Sequence, residues 1–167
     1  MTQMGPTRGQ GLGAVLARVA SEVGRDTFST GTRAALRRMR PEHPPPLVFY
    51  RLASDFLPGN WEATLPEWVT LIAGVALMSP GAHERSAAMG AVLAQEGYAE
   101  ARLERLLSAQ GATLRTLALR CTRFLASRGS PFNWMDMARL LLARDAGRRE
   151  EINRKIAKDF YLHKGRE

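Results

Sequence analysis

An all-α helical bundle is the fold this chain predicts, and three observations lead there. Apolar residues recur three and four apart through nearly every segment. No stretch alternates between apolar and polar with the period of two that a half-buried strand requires. Proline or glycine interrupts the pattern at Pro41, Pro58-Gly59, Pro80-Gly81, Gly97, Gly129 and Gly147, leaving segments of helix length between the breaks. With 45% apolar residues in a length of 167, one substantial core can form.

Residues 1–10 are polar and glycine-rich and read as a flexible leader, which leaves 11–167 as a single helical domain. The first helix spans Leu12 to Val23, where Val15, Leu16, Val19 and Val23 form one stripe. A second, from Thr32 to Met39, stops before Pro41, because a proline disfavours helical backbone in the residue ahead of it. The run Pro41-Glu42-His43-Pro44-Pro45-Pro46 is then a stiff extended connector. Leu47 to Leu57 forms the third helix, closed by Pro58-Gly59-Asn60. Thr64 and Glu67 have capping-box spacing ahead of the apolar run Trp68 to Met78. Pro80-Gly81 follows and would divide the bundle into sub-lobes 11–80 and 81–167. Further helices are expected over 85–95, 99–109, 112–128, 134–146 and 148–163, with Asn133 capping the fourth of these. That helix is apolar round most of its circumference, so it is expected to be central, with Asp136, Arg139 and Ala143 outward.

The charge is sorted along the sequence. Residues 1–50 carry seven Lys or Arg against three Asp or Glu, residues 51–100 two against six, and residues 101–167 fifteen against seven. The nets of +4, −4 and +8 suggest a cationic surface assembled from both ends of the chain, whose natural partner is a polyanion. The helix over 112–128 concentrates the signal. Its wheel gathers Leu114, Leu117, Cys121, Phe124 and Leu125 on one face, which makes Cys121 a core residue, and Arg115, Arg120 and Arg123 on the other. No acid relieves them, although like charges one turn apart destabilise a helix by a few tenths of a kcal/mol. Such a face is better explained by phosphate. Arg148 and Arg149 open the last helix, where backbone N–H groups favour anions and cations oppose the dipole. Elsewhere in that helix Glu150, Glu151 and Asp159 alternate with the cations and point to surface pairing.

Chemistry is sparse. Three histidines and one cysteine show no metal-ligand spacing, so no metal or cofactor is expected. Gly9, Gly11 and Gly13 lack the preceding strand and spacing of a dinucleotide loop. His83 is expected at the surface, and Asp55, Glu62 and Glu67 as solvated charges at helix ends. Trp61 and Trp68, seven apart, fit core packing better than base stacking. No nucleophile meets a base, so catalysis is not expected. No secretory signal or bilayer-length apolar run occurs, which predicts a soluble cytoplasmic protein with no membrane partner.

In order, Leu36-Arg37-Arg38, Phe49-Tyr50-Arg51-Leu52, Gly90, Leu93-Ala94, Glu100-x-Arg102, Leu106-Leu107, Leu119-Arg120, Asn133-Trp134, Met137-Ala138-Arg139, Leu141 and Gly147-Arg148-Arg149 resemble the CasB family. Its members are small subunits of the type I-E CRISPR surveillance complex, Cascade. Each element is short, but their order and spacing over about residues 33–162 are specific. The family commonly has Asp-Trp where this chain has Asn133-Trp134, and Trp61 to Ser86 matches only in apolar character. The resemblance implies an all-α, non-catalytic protein in antiviral defence. Two copies would lie head to tail, as a homodimer within the complex, beside the backbone and large subunits. The basic faces would line a path for the CRISPR guide RNA, the target DNA and the displaced DNA strand. Carried over by position, Arg37, Arg38, Arg51, Arg102, Arg120, Arg148 and Arg149 are the expected nucleic-acid contacts, and the wheel adds Arg123. Arg51 equally fits a buried partner for an acidic side chain. The alternative function is a helical adaptor docking its basic face on an acidic protein.

Overall fold

The computed structural model describes residues 11–165; the expected leader over 1–10 lies outside them. Nine α-helices and one 3-10 turn make up the described residues: α1 Leu12–Val23, α2 Thr30–Arg37, α3 Leu47–Phe56, the turn Trp61–Thr64, α4 Leu65–Met78, α5 Met89–Gln95, α6 Glu100–Ser108, α7 Gly111–Ser127, α8 Trp134–Leu142 and α9 Ala146–His163. The one β-type contact among them is an isolated bridge between His83 and Phe132. The all-α bundle is the observed class.

α8 is central as expected, with no exposed residue and α1, α4, α5, α7 and α9 packed around it, and α4 is enclosed beside it. Nine consecutive residues, Trp68 to Ala76, are buried, and α7, α2, α1 and α8 all pack around them. Gly74 makes the tightest of these contacts possible, since a β-carbon there would lie 2.6 Å from the Trp134 ring. α8 is largely buried too, and Trp134 donates from its indole nitrogen to the Ala82 carbonyl at 3.0 Å. α1 packs against α8, and α4 against α7, so one hydrophobic core runs through residues on both sides of Pro80.

α9 is seated on α5 and α8. Its stripe Ile152, Ile156 and Phe160 is buried. Gly90 on α5 lets the two backbones meet, because a β-carbon at that position would run into the Ile156 carbonyl and the Phe160 amide. Helix backbones can approach this closely only where no side chain intervenes.

Several boundaries move from their expected places, each for a visible reason. α2 begins at Thr30 because Ser29 caps it, accepting from the Thr32 amide at 3.4 Å. The capping box before α4 does not form: Thr64 donates back to the Trp61 carbonyl and Glu67 turns to Arg115. α5 starts at Met89 rather than 85, since the preceding segment is tied to the loop before α8 by Glu84 N–H to Phe132 O and Asn133 N–H to Ala87 O. α8 stops at Leu142, and Asp145 opens α9 by accepting from the Gly147 and Arg148 amides. Asn133 caps α8 as expected, accepting from the Met135 amide at 3.0 Å.

Candidate nucleic-acid interface

The apolar side of α7 is buried at Leu114, Ala118, Leu119, Cys121, Thr122 and Leu125, which fixes the helix's rotation and turns Arg120 and Arg123 to solvent. Neither guanidinium makes a hydrogen bond or ion pair with another described residue. Arg115 leaves this face. It is half-buried and pairs with Glu67 on α4 at 3.5 Å. At the C-terminal end, Arg128 is exposed and lies 5.0 Å from the centre of the Phe124 ring. Sequence reasoning passed over this residue, although its spacing of four from an aromatic on the same helix was the available signal.

The other expected arginines divide into two groups. Arg37 donates from Nε to the Ala76 carbonyl at 2.8 Å and from its terminal nitrogen to the Ser79 carbonyl at 3.3 Å. It therefore satisfies carbonyls at the end of α4, which have no partner within their own helix. Arg33, one turn earlier on α2, does the same for Val23 at the end of α1. Arg149 donates to the Leu107 and Ala109 carbonyls, both at 2.9 Å, and to Asn153, so it closes the end of α6. Arg37, although exposed, and the half-buried Arg149 are thus both bonded to the protein's own carbonyls. Nor are the first amides of α9 open to an anion, because Asp145 already occupies them.

Arg38, Arg51, Arg102 and Arg148 are exposed. Arg51 sits over the Phe28 ring at 5.8 Å instead of being a buried partner for an acid. Arg102 lies on α6, which packs on α7, and acts on Tyr98 through space. Arg148 borders a depression of about 270 Å³ together with Arg139, Lys155, Asp136 and Glu151. Arg51, Arg148 and Arg149 line three separate depressions. Arg120 and Arg123 share the outer face of α7, and Arg102 stands on α6, the helix packed against it.

Interior groups that looked available for chemistry have structural work. Asp136, expected to face outward, is buried: its Oδ2 accepts from the Met89 amide at 2.9 Å and so caps α5. Its Oδ1 lies 3.3 Å from Lys155 Nζ. Burial alone would lower the Lys155 pKa, but hydrogen bonding to Asp159 and the Asp136 charge outweigh it and raise it. His83 is half-buried, and its Nδ1 accepts from the Trp134 amide at 3.1 Å. Burial holds its pKa below the ordinary 6.5, opposed only in part by Glu84. Cys121 is fully buried and its thiol is pushed up to about 12, so it is not a nucleophile at neutral pH. Trp68 is core, whereas Trp61 is half-exposed and meets Phe49 edge-on at 5.9 Å. Among the described residues no group of three potential ligands could hold a metal ion, and no helix is long and apolar enough to cross a membrane.

Comparison with known proteins adds the family to this geometry. No curated protein matches the chain. The profile of the family described as CRISPR-associated protein Cse2, equivalent to CasB, matches residues 32–161, from α2 into the end of α9. That stretch holds every arginine considered above and most of the shared core, and the chain belongs to the CRISPR-associated Cse2 family of Cascade small subunits.

Proposed function

We propose that this subunit binds the nucleic acids of its complex without catalysis and without reading their sequence, through the outward arginines of α7. The observation that carries this reading is the state of Arg120 and Arg123: exposed, unpartnered among the described residues, and on a helix with no acid. Placing them there costs a few tenths of a kcal/mol in repulsion and returns nothing to the fold. A phosphate beside each guanidinium removes that cost, releases counterions and gives attraction that is independent of base identity. Arg102 extends the contact onto α6, and Arg38, Arg51 and Arg148 add contacts elsewhere along the subunit. Arg37 and Arg149 are left out of this contact set, because each already has two of its nitrogens bonded within the protein.

In the assembled complex, base pairing between guide and target reads the sequence. The subunit supplies backbone contacts that steady the guide RNA and target DNA and give the displaced strand a path. Two copies head to tail, as a homodimer within the complex, would lengthen that path. The test is titration of the full chain with unrelated single- and double-stranded oligonucleotides across a range of salt. Weak, sequence-tolerant binding whose log K falls linearly with log salt is expected. Absence of binding even at low salt would overturn the reading.

A further inference from the structure

Arg120, Phe124 and Arg128 stand four apart on α7 and its C-cap, so they form one ridge in which an aromatic ring alternates with two cations. Phe124 is half-exposed. Its ring is backed by Tyr98, 5.1 Å away between centres, and Tyr98 is itself buried. Arg128 covers Phe124 from the solvent side at 5.0 Å. The order from the interior outward is therefore Tyr98, Phe124, Arg128. Arg102 and Arg105 on α6 act electrostatically on Tyr98, which places further positive charge beside the stack. Glu96, the nearby carboxylate, is held by the Ser130 hydroxyl at 2.7 Å.

We infer that Arg128, held against Phe124, is a stacking plate for an unpaired base, and that this ridge takes single-stranded nucleic acid in preference to duplex. The inference rests on the nucleic-acid reading above and names which form that face takes. Phosphate contacts alone grip either form. A guanidinium or aromatic face adds affinity only where a base is free to lie on it, and in a duplex each base face is covered by its neighbours. An arginine on an exposed helix end ordinarily loses rotamer freedom on binding. Here the Phe124 ring already restricts Arg128, so less is lost when a base arrives. Lysine would keep the charge but has no plane to stack.

The test uses the full chain, a single-stranded oligonucleotide carrying a fluorescent base whose emission is quenched on stacking, and the matching duplex. Arg128→Lys and Phe124→Leu are expected to weaken single-strand binding by about tenfold and to abolish the quench. Duplex affinity and the salt dependence of both forms should stay within about twofold. Arg128→Lys, at an exposed position, keeps the comparison valid if Phe124→Leu lowers the melting temperature. Unchanged single-strand affinity in Arg128→Lys, or an equal loss for both forms, would overturn this inference while leaving phosphate binding by α7 intact. A wild-type chain that binds neither form would overturn both.

Discussion

α7 and α9 are the two longest helices, both cationic, and their outer faces differ in what answers the charge. On α9, Arg154 pairs with Glu150 at 2.9 Å, Lys155 with Asp159 at 2.8 Å, and Lys164, just past its end, with Glu100. Each such surface pair contributes little, about 0–1 kcal/mol, but together they answer much of the local charge, leaving Arg148 and Lys158 without an ion pair among the described residues. On α7 there is no acid in the helix, and Arg120 and Arg123 meet none in the described structure. Net charge alone would rank α9 beside α7 as a polyanion surface. The lesson is that a cation signals an external partner only after its internal partners have been counted. Arg149 makes the point within α9: it is the same residue type as Arg120, yet its donors close the end of α6.

Substitutions on the α9 side should damage the fold and those on the outer face of α7 should not. The largest effect is expected from Gly90→Ala. The added methyl meets backbone atoms of Ile156 and Phe160, which cannot swing aside as a side chain would. A loss of about 3 kcal/mol is expected by thermal denaturation, enough to displace α9 from α5. A stable Gly90→Ala protein would mean the two helices are not seated as described. Arg149→Ala comes next. It leaves the Ala109 carbonyl without its donor and should cost about 1–2 kcal/mol, a fall in Tm of about 3–6 °C. A Tm unchanged by this substitution would place Arg149 with the outward arginines and blur the contrast.

A smaller effect follows from acid. His83 can accept from the Trp134 amide only while Nδ1 is unprotonated. Because burial sets its folded pKa below 6.5, its contribution is complete above 6.5 and is lost as the pH falls through the lowered value. Tm should decline over that interval by less than Arg149→Ala causes. His83→Asn, which keeps an acceptor that does not titrate there, should flatten the decline. An equal decline in His83→Asn would assign the acid sensitivity to other groups.

Much of the architecture was legible because it is written in local periodicity. α1 was bounded correctly by its apolar stripe, and α3 to within one residue by the prolines and glycine around it. The interior place of Cys121 and the outward place of Arg120 and Arg123 both followed from the wheel of α7. What the sequence hid depends on partners far along the chain. Asp136 caps a helix 47 residues earlier, and Arg37 closes one that ends about 40 residues later. Neither contact has a periodic signature, so a buried cap looked like an exposed charge and an arginine bonded to the protein's own backbone looked unengaged. The same blindness mixed Arg37 and Arg149 into one set with Arg120. Side-chain type is identical for the two roles, and the tertiary neighbour separates them.

The most direct test is the salt dependence of single-strand binding in Arg120→Ala/Arg123→Ala, with Tm measured on the same preparation. If each arginine neutralises one phosphate, the slope of log K against log salt should become shallower by about 1.4, because a single strand contributes about 0.7 per contact. Tm should stay within about 2 °C, as expected of exposed positions with no internal bonds. An unchanged slope together with a large fall in Tm would show that these two residues serve the fold and would contradict the account.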